Sequence, residues 1–294
     1  MKPPDNRSLC RFVSGLAGNR AARQLPGSLQ QPNPMPSRST QPDSQLFITE
    51  VALHRRPGDE SRGYPWSIPA IRHLEALPFS TPVTFFLGEN GSGKSTLLEA
   101  IAAAFGLNPE GGTKHVRFST RPSHSALFKE LRLSRTRPAP TDSYFLRAET
   151  FYNVATVIEN PADYRAYDPD ASGGRPFHEQ SHGEAFLALV LNRFRGNGFY
   201  LLDEPEAALS PSRQLSLLAA IHHLVERRSQ FVIATHSPIL LGIPGSTIYK
   251  FGDHPPRAVE YRETEHYQLT RAFLEHPERM LRELCRDDDE RDAI

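Results

Sequence analysis

The segment GENGSGKST, Gly88 to Thr96, constrains this chain more than any other feature of its sequence. It follows PVTFFLG, an apolar run of strand length, and it opens STLLEAIAAAFGL, which has the length and composition of a helix. A glycine-rich turn between a strand and a helix lets successive backbone N–H groups meet phosphate oxygens at the helix N-terminus. The order of Gly88, Gly93, Lys94 and Ser95 is the Walker A pattern, in the strand-loop-helix context that this pattern requires.

Each polar residue of this loop has a predicted part in binding a nucleotide. Lys94 can reach the β- and γ-phosphates as a point charge, the Ser95 hydroxyl can ligate Mg²⁺, and Thr96 can bond on the α-phosphate side. The predicted nucleotide-binding residues of the loop are Gly88, Glu89, Asn90, Gly91, Ser92, Gly93, Lys94, Ser95 and Thr96.

Strands and helices alternate along the rest of the chain. LFITEVALH (46–54) partly alternates like a half-exposed strand, while SYFLRAE (143–149), FYLLD (199–203) and QFVIATHS (230–237) read as buried strands. Helices are predicted over 183–195 and 212–228, and residues 107–141 are expected to be irregular. TIYKFG and RAVEYR look like a closing pair of strands. This order predicts an α/β fold of the P-loop NTPase type, with a mostly parallel central sheet and antiparallel strands at its edge.

Two further strands end in side chains that suit phosphate chemistry. Asp203 and Glu204 end the strand FYLLD, and His236 follows the next strand. The carboxyl ends of parallel strands gather ligands at one edge of an open sheet. Asp203 can hold the Mg²⁺ shell, Glu204 can accept a proton from the attacking water, and His236 can hydrogen-bond the γ-phosphate and that water. Glu204 and His236 are therefore the predicted catalytic residues.

With the Walker A loop, these residues resemble the ABC-type ATPases in order and spacing. Within that frame SHGE, beginning at Ser181, falls at the signature sequence of the family, and EAALS (206–210) falls at its D-loop. The resemblance implies ATP and Mg²⁺ as ligands and a head-to-tail homodimer. In it, Ser181 and Gly183 contact the γ-phosphate of the nucleotide bound by the partner copy. Glu149 is the nearest match to the family's Q-loop position, where a carboxylate could help to organise Mg²⁺.

Some residues depart from the transporter pattern or allow a plainer interpretation. His182 and Glu184 stand where transporter subunits usually have glycine and glutamine, and Ser210 replaces an aspartate. SHGE also fits a capping box, and both interpretations can hold at once. Tyr64 or Trp66 could stack on adenine, although aromatic residues in such a loop more often pack.

The segment between Glu149 and Ser181 helps to distinguish a transporter subunit from a stand-alone ABC-type ATPase. It is short and rich in Pro, Gly and Asp, too broken for the helical subdomain by which a transporter subunit grips its membrane partner. The DEPEAALSP string resembles small soluble bacterial ATPases of the predicted AAA or ABC type. We therefore expect a stand-alone ATPase whose downstream process is unknown, with DNA maintenance and phage defence as candidates. A transporter subunit and a nucleotide-gated switch with little turnover remain as alternatives.

Composition adds expectations about compartment and partners. The 34 basic residues equal the 34 acidic ones, so net charge does not favour nucleic acid or a membrane surface. Two cysteines give no disulfide or metal-ligand pattern, and no apolar run could span a bilayer, so a cytoplasmic protein is expected. An unknown protein partner is expected beside the second copy. The predicted domains are a disordered tail (1–44), the ATPase domain (45–262) and a C-terminal helical extension (263–294).

Overall fold

The computed structural model describes residues 46–54, 63–113, 126–136, 138–160, 168 and 170–285, so the predicted tail lies outside the described residues. The strands are β1 (Ile48–Leu53), β2 (Ala76–Pro78), β3 (Val83–Leu87), β4 (Leu131–Arg135), β5 (Asp142–Arg147), β6 (Gly198–Asp203), β7 (Gln230–Ala234), β8 (Thr247–Lys250) and β9 (Arg257–Val259). The helices are α1 (Pro69–Arg72), α2 (Lys94–Phe105), α3 (Phe151–Glu159), α4 (His182–Arg193), α5 (Pro211–Glu226), α6 (Glu265–Glu275) and α7 (Pro277–Leu284).

Six strands form the central sheet in the order β5-β6-β7-β3-β8-β9. All neighbouring pairs are parallel except β8 with β9, which is antiparallel. Every residue of β3, β6 and β7 is buried, as expected for parallel strands covered on both faces. The prediction of a mostly parallel α/β sheet with an antiparallel strand at its edge is confirmed.

Alternate residues of the central strands enter two separate hydrophobic clusters, one on each face of the sheet. Phe85 and Leu202 pack with the cluster that contains the buried sides of α3, α4 and α5. Phe86 and Leu201 pack with the cluster formed by α1, α2 and β1. This division follows from the period of two in a strand. Because helices cover both faces of the sheet, a ligand can reach it at the ends of the strands.

A second, three-stranded antiparallel sheet has the order β2-β1-β4. The buried side chain of Gln230 in β7 ties it to the central sheet, since its amide accepts from the backbone N–H groups of Phe47 and Ile48 and donates to the Ile48 carbonyl. The expectation of an irregular chain over 107–141 is wrong for β4. This strand forms because its edge pairs with β1 in a register from Ile48 to Leu53.

Residues 43–261 form one compact unit, and residues 262–285 belong to a second unit that we describe by itself. In the second unit, Thr264 caps α6, because its side chain accepts from the backbone N–H of Tyr267, and α7 begins with Pro277. Leu274 and Leu281 of these helices are exposed. Among the described residues of the whole chain, no helix has the length and apolar character needed to cross a membrane.

Candidate active site

The phosphate loop joins β3 to α2 at the carboxyl edge of the central sheet. Gly88 has no room for a side chain, because a Cβ atom there would lie 2.6 Å from the Phe251 carbonyl oxygen. Gly93 caps α2 with φ of 99°, a left-handed conformation that glycine adopts without strain. Close packing and backbone conformation therefore require glycine at both positions, apart from any ligand.

Lys94, the first residue of α2, is buried beneath this loop. Its Nζ donates to the backbone carbonyls of Gly88 at 2.8 Å and Glu89 at 3.1 Å. Burial lowers the pKa of Lys94, while the carboxylates of Glu204, Asp203, Glu89 and Glu206 act in the opposite direction. An ammonium group bonded only to neutral carbonyls, in a site rich in carboxylates, remains a strong donor for a phosphate oxygen.

Two hydroxyl groups of the loop differ in their surroundings. The Ser95 hydroxyl donates to Asp203 Oδ1 at 2.8 Å, which joins the loop to the end of β6. The Ser92 hydroxyl is buried and finds no hydrogen-bond partner among the described residues. A buried polar atom in a phosphate loop fits a site that binds a polar ligand, because an unmade hydrogen bond is costly.

Asp203 is the buried end of β6, with 5% of its surface exposed. Burial raises its pKa to about 6, and the guanidinium of Arg147 and the hydroxyl of Ser95 only partly offset that effect. Oxygen ligands from one or two carboxylates, completed by phosphates and water, are what Mg²⁺ prefers. The Ser95 and Asp203 pair fits this requirement. Among the described residues no three His, Cys, Asp or Glu side chains come together to hold a metal ion by themselves.

Glu204 follows directly in a left-handed conformation, with φ of 49° and ψ of 50°. A residue with a β-carbon pays a cost of roughly 1 kcal/mol or more in that region, which is seen most often at functional sites. Its backbone N–H donates to the carbonyl of Ala234 at the end of β7. Its Oε1 lies 3.4 Å from Nε2 of His236, so the structure brings the two predicted catalytic residues together.

Glu206 is a site residue that the sequence analysis did not assign. Its Oε1 accepts a hydrogen bond of 2.5 Å from the backbone N–H of His236, and this bond fixes the turn that carries the histidine. Its position two residues after Glu204, in the string DEPE, is the sequence signal that could have indicated it. Glu206 therefore positions the backbone that carries His236.

Arg147, at the end of β5, is a second residue that sequence reasoning missed. In the register of β5 and β6 it lies directly beside Asp203. Its guanidinium lies 3.3 Å from Asp203, 3.3 Å from Glu99 and 3.6 Å from Glu149. The predicted metal ligand Glu149 thus reaches the same cluster, although its side chain is 80% exposed.

Ser181 and Gly183 lie in a different cluster, at the start of α4. Ser181 and Glu184 form a complete capping box, in which each side chain bonds the backbone N–H of the other residue. Arg213 of α5 contacts both, at 3.4 Å from Ser181 Oγ and 2.8 Å from Glu184 Oε1. The predicted capping box is confirmed.

Packing explains two residues of the SHGE segment. A Cβ atom at Gly183 would lie 2.6 Å from the carbonyl of Ala208, so α4 approaches the EAALS segment (206–210) too closely for a larger residue. The ring of His182 stacks on Phe151 of α3, with centroids 5.6 Å apart.

The two aromatic candidates for adenine stacking separate clearly. Trp66 is buried in the cluster with α1 and α2, so it packs. Tyr64 is 65% exposed, and its hydroxyl lies 3.1 Å from the hydroxyl of Thr96. Tyr64 therefore stays available beside the phosphate loop.

The parallel sheet, the glycine-rich loop at its carboxyl edge and the Ser95 to Asp203 contact define a P-loop NTPase. Residues 66–132 match a family model described as "AAA domain", and residues 114–242 match one described as "AAA domain, putative AbiEii toxin, Type IV TA system". Together with the fold, these two matches support a P-loop ATPase of the AAA or ABC type.

Solved structures of similar fold include an SMC head domain from Thermotoga maritima, at 14% identity over 73% of this chain and 100% of that one, with a TM-score of 0.42. They also include cbiO1 from Clostridium perfringens, part of the ABC transporter complex cbiONQ, at 16% identity over 79% and 96%, with a TM-score of 0.43. An SmcHead bound to the C-winged helix domain of ScpA matches at 15% identity over 73% and 98%, with a TM-score of 0.45. No curated protein sequence matches significantly.

Proposed function

We propose that this chain binds ATP with Mg²⁺ and hydrolyses it, and that two copies arranged head to tail form the complete site. The observation that carries the proposal is the meeting of three groups at one sheet edge. These are Lys94 under the loop, Ser95 bonded to Asp203, and Glu204 beside His236. Phosphate binding, metal binding and proton transfer are the three tasks that ATP hydrolysis requires.

Binding depends on groups that exchange partners. The ammonium of Lys94 leaves the carbonyls of Gly88 and Glu89 for phosphate oxygens, which is favourable because a charged acceptor replaces neutral ones. Ser95 and Asp203 are the residues that would hold Mg²⁺, and Glu149 is a further proposed ligand. When bound, Mg²⁺ would supply positive charge to offset the charge of the phosphates.

Hydrolysis then needs a general base and a second residue that orients the side chain of that base. Glu204 takes a proton from a water whose oxygen attacks the γ-phosphorus, while the bond from that phosphorus to the bridging oxygen breaks and the electron pair leaves with ADP. His236 lies at 3.4 Å from Glu204, where it can keep the carboxylate aimed at the water and donate to the γ-phosphate. The bond from its backbone to Glu206 supports this placement.

The second copy enters through Ser181 and Gly183. Ser181 is exposed at the N-terminus of a 12-residue helix, an end that carries partial positive charge and favours anions. Its hydroxyl and the backbone of Gly183 are proposed to bind the γ-phosphate held by the partner copy. The capping box does not conflict with this role, since a hydroxyl that accepts from the helix can still donate to a phosphate.

Glu204→Gln tests the assignment of the base. We expect kcat to fall by about 10²–10⁴-fold with ATP binding retained, because the amide keeps the shape but cannot accept the proton. The variant should also accumulate an ATP-bound dimer, seen by light scattering. Glu226→Gln, at an exposed position on α5, is the matched control. Unchanged phosphate release in Glu204→Gln would refute the assignment of Glu204 as the base. If wild type turned over ATP no faster than Lys94→Ala, the alternative of a nucleotide-gated switch with little turnover would be favoured.

DNA maintenance and phage defence are the two processes proposed for hydrolysis, and the second family model, described as a putative toxin of a type IV TA system, fits the second of them. The transporter alternative is less favoured, since α3 is the one α-helix between β5 and α4 among the described residues. Growth of cells expressing wild type, Glu204→Gln or Lys94→Ala, with and without phage, checks this. Equal growth and equal phage resistance in all three would count against defence.

A further inference from the structure

Arg147 holds three carboxylates that belong to three parts of the site. Asp203 ends β6, Glu99 lies on the helix that follows the phosphate loop, and Glu149 begins the segment after β5. The side chain of Arg147 is 16% exposed and that of Asp203 is 6% exposed, so their charges attract each other with little screening by water. Nothing in the proposed reaction uses this guanidinium.

The contact between Arg147 and Asp203 is a charge contact without an aligned hydrogen bond. The buried Nε of Arg147 lies 3.3 Å from Asp203 Oδ2, yet it has no hydrogen-bond partner among the described residues. Elsewhere in the chain, Arg193 makes an aligned hydrogen bond of 3.0 Å to Asp142 and a second ion pair to Asp168. Arg147 therefore offsets the charge of Asp203 but binds it more weakly than Arg193 binds Asp142. A weaker contact suits a partner that is to be exchanged.

We propose that Arg147 is the counter-ion of Asp203 in the nucleotide-free protein and that Asp203 exchanges it for Mg²⁺ when the nucleotide binds. Two cations cannot share this carboxylate edge without strong repulsion, because the site is buried. Glu99, which already lies 3.3 Å from the guanidinium, keeps it after the exchange. Arg147 is thus a positioning residue. The inference rests on the proposed function, since it requires that Asp203 binds the metal.

The test is a titration of Mg²⁺ at fixed concentration of a slowly hydrolysed fluorescent ATP analogue, on the full chain, with anisotropy as the readout. For Arg147→Met we expect the half-saturating Mg²⁺ concentration to fall about tenfold below wild type, because no charge competes with the metal. Without Mg²⁺, in EDTA, Arg147→Met should bind the analogue no better than wild type. Arg147→Lys keeps the charge and should stay within about threefold of wild type.

Arg193→Met is the matched control, because Arg193 is 20% exposed and also pairs with two carboxylates. We expect it to lower the melting temperature while leaving the Mg²⁺ titration unchanged. If Arg147→Met fails to fold, Arg147→Gln replaces it. Equal titrations for Arg147→Met and wild type, or a higher Mg²⁺ requirement in Arg147→Met, would overturn the exchange. If wild type shows no Mg²⁺-dependent binding while Arg147→Met is well folded, the proposed function fails instead.

Discussion

Two arginine–carboxylate pairs, one at each predicted half of the nucleotide site, differ in how their charges are satisfied. Asp203 beside Arg147 is buried, and burial raises its pKa to about 6 in spite of the nearby guanidinium. Glu184 beside Arg213 is exposed, and hydrogen bonds lower its pKa to about 2, first from the backbone of Ser181 and then from Arg213. Desolvation dominates at the first pair and hydrogen bonding at the second.

This difference separates a cluster whose buried polar groups would gain hydrogen bonds from a ligand from a cluster whose hydrogen bonds are already made within the protein. The cluster around Asp203 contains a buried carboxylate, the buried ammonium of Lys94 and a buried hydroxyl of Ser92 without a partner among the described residues. The cluster around Ser181 has a complete cap and a charge-assisted bond from Arg213 at 2.8 Å. We expect mutations of the first to affect nucleotide binding and those of the second to affect assembly.

Lys94→Ala should have the largest effect. ATP binding should be lost, because Lys94 is the lysine of the Walker A pattern and supplies the point charge for the β- and γ-phosphates. Calorimetry with Mg²⁺ and ATP measures this directly. Lys129→Ala removes an exposed lysine of the same compact unit and should bind as wild type does. Retained binding in Lys94→Ala would place the nucleotide elsewhere and remove the comparison between the two clusters.

Ser181→Arg should abolish ATP-dependent dimerisation while leaving the binding of ATP to one copy intact. The larger side chain fills the helix end that is proposed to meet the partner's γ-phosphate. Sedimentation of the Glu204→Gln background with ATP is the measurement, and Ser80→Arg, at an exposed position before the amino end of β3, is the control. A dimer that persists in Ser181→Arg would exclude the head-to-tail arrangement.

The parts of the fold that could be predicted from sequence are those in which one signal suffices. Continuous apolar runs marked β3, β6 and β7, and the glycine-rich loop located the nucleotide site between β3 and α2. The three-residue β2 is too short to show a period, and β4 depends on its pairing with β1. The helix α3 was not predicted, although Thr150, a residue type common at helix starts, directly precedes it; the hydroxyl of Thr150 donates to the Glu110 carbonyl instead of capping the helix.

Site residues that depend on contacts between strands could not be predicted from the sequence either. Arg147 is the residue most involved in charge contacts with Asp203, but its role arises from the register of β5 with β6 rather than from any local pattern. Asp203, Glu204 and His236 were predicted because they lie at or just after the end of an apolar strand, which is a local signal. The bonds of Glu206 to the His236 backbone and of Arg213 to Glu184 join segments that are far apart in the sequence, so only the structure shows them.

Asp203→Asn tests how the stability contributed by Asp203 depends on pH, for comparison with Glu184. Because burial raises the pKa of Asp203 in the folded protein, the stability it contributes is complete below its unfolded pKa of 3.8 and is lost as pH rises through about 6. Wild type should therefore lose about 3 kcal/mol relative to Asp203→Asn over that interval, in EDTA. Urea unfolding at several pH values measures the gap. A gap that stays constant, or one matched by the exposed control Asp253→Asn, would contradict the assignment.

Glu184→Gln should show the opposite dependence and the smallest effect. Hydrogen bonds lower the pKa of Glu184, so its contribution to stability is present above the unfolded value of 4.5 and fades as pH falls toward about 2. The residue is exposed, and salt should weaken the contribution further. Thermal unfolding of wild type and Glu184→Gln from pH 7 to about pH 3 should thus show a small gap that closes on acidification. Arg213→Met, which removes the second cause of the lowered pKa, should narrow the gap at neutral pH. If the gap instead widened with acid, burial rather than hydrogen bonding would govern Glu184, and the two clusters would not differ in kind.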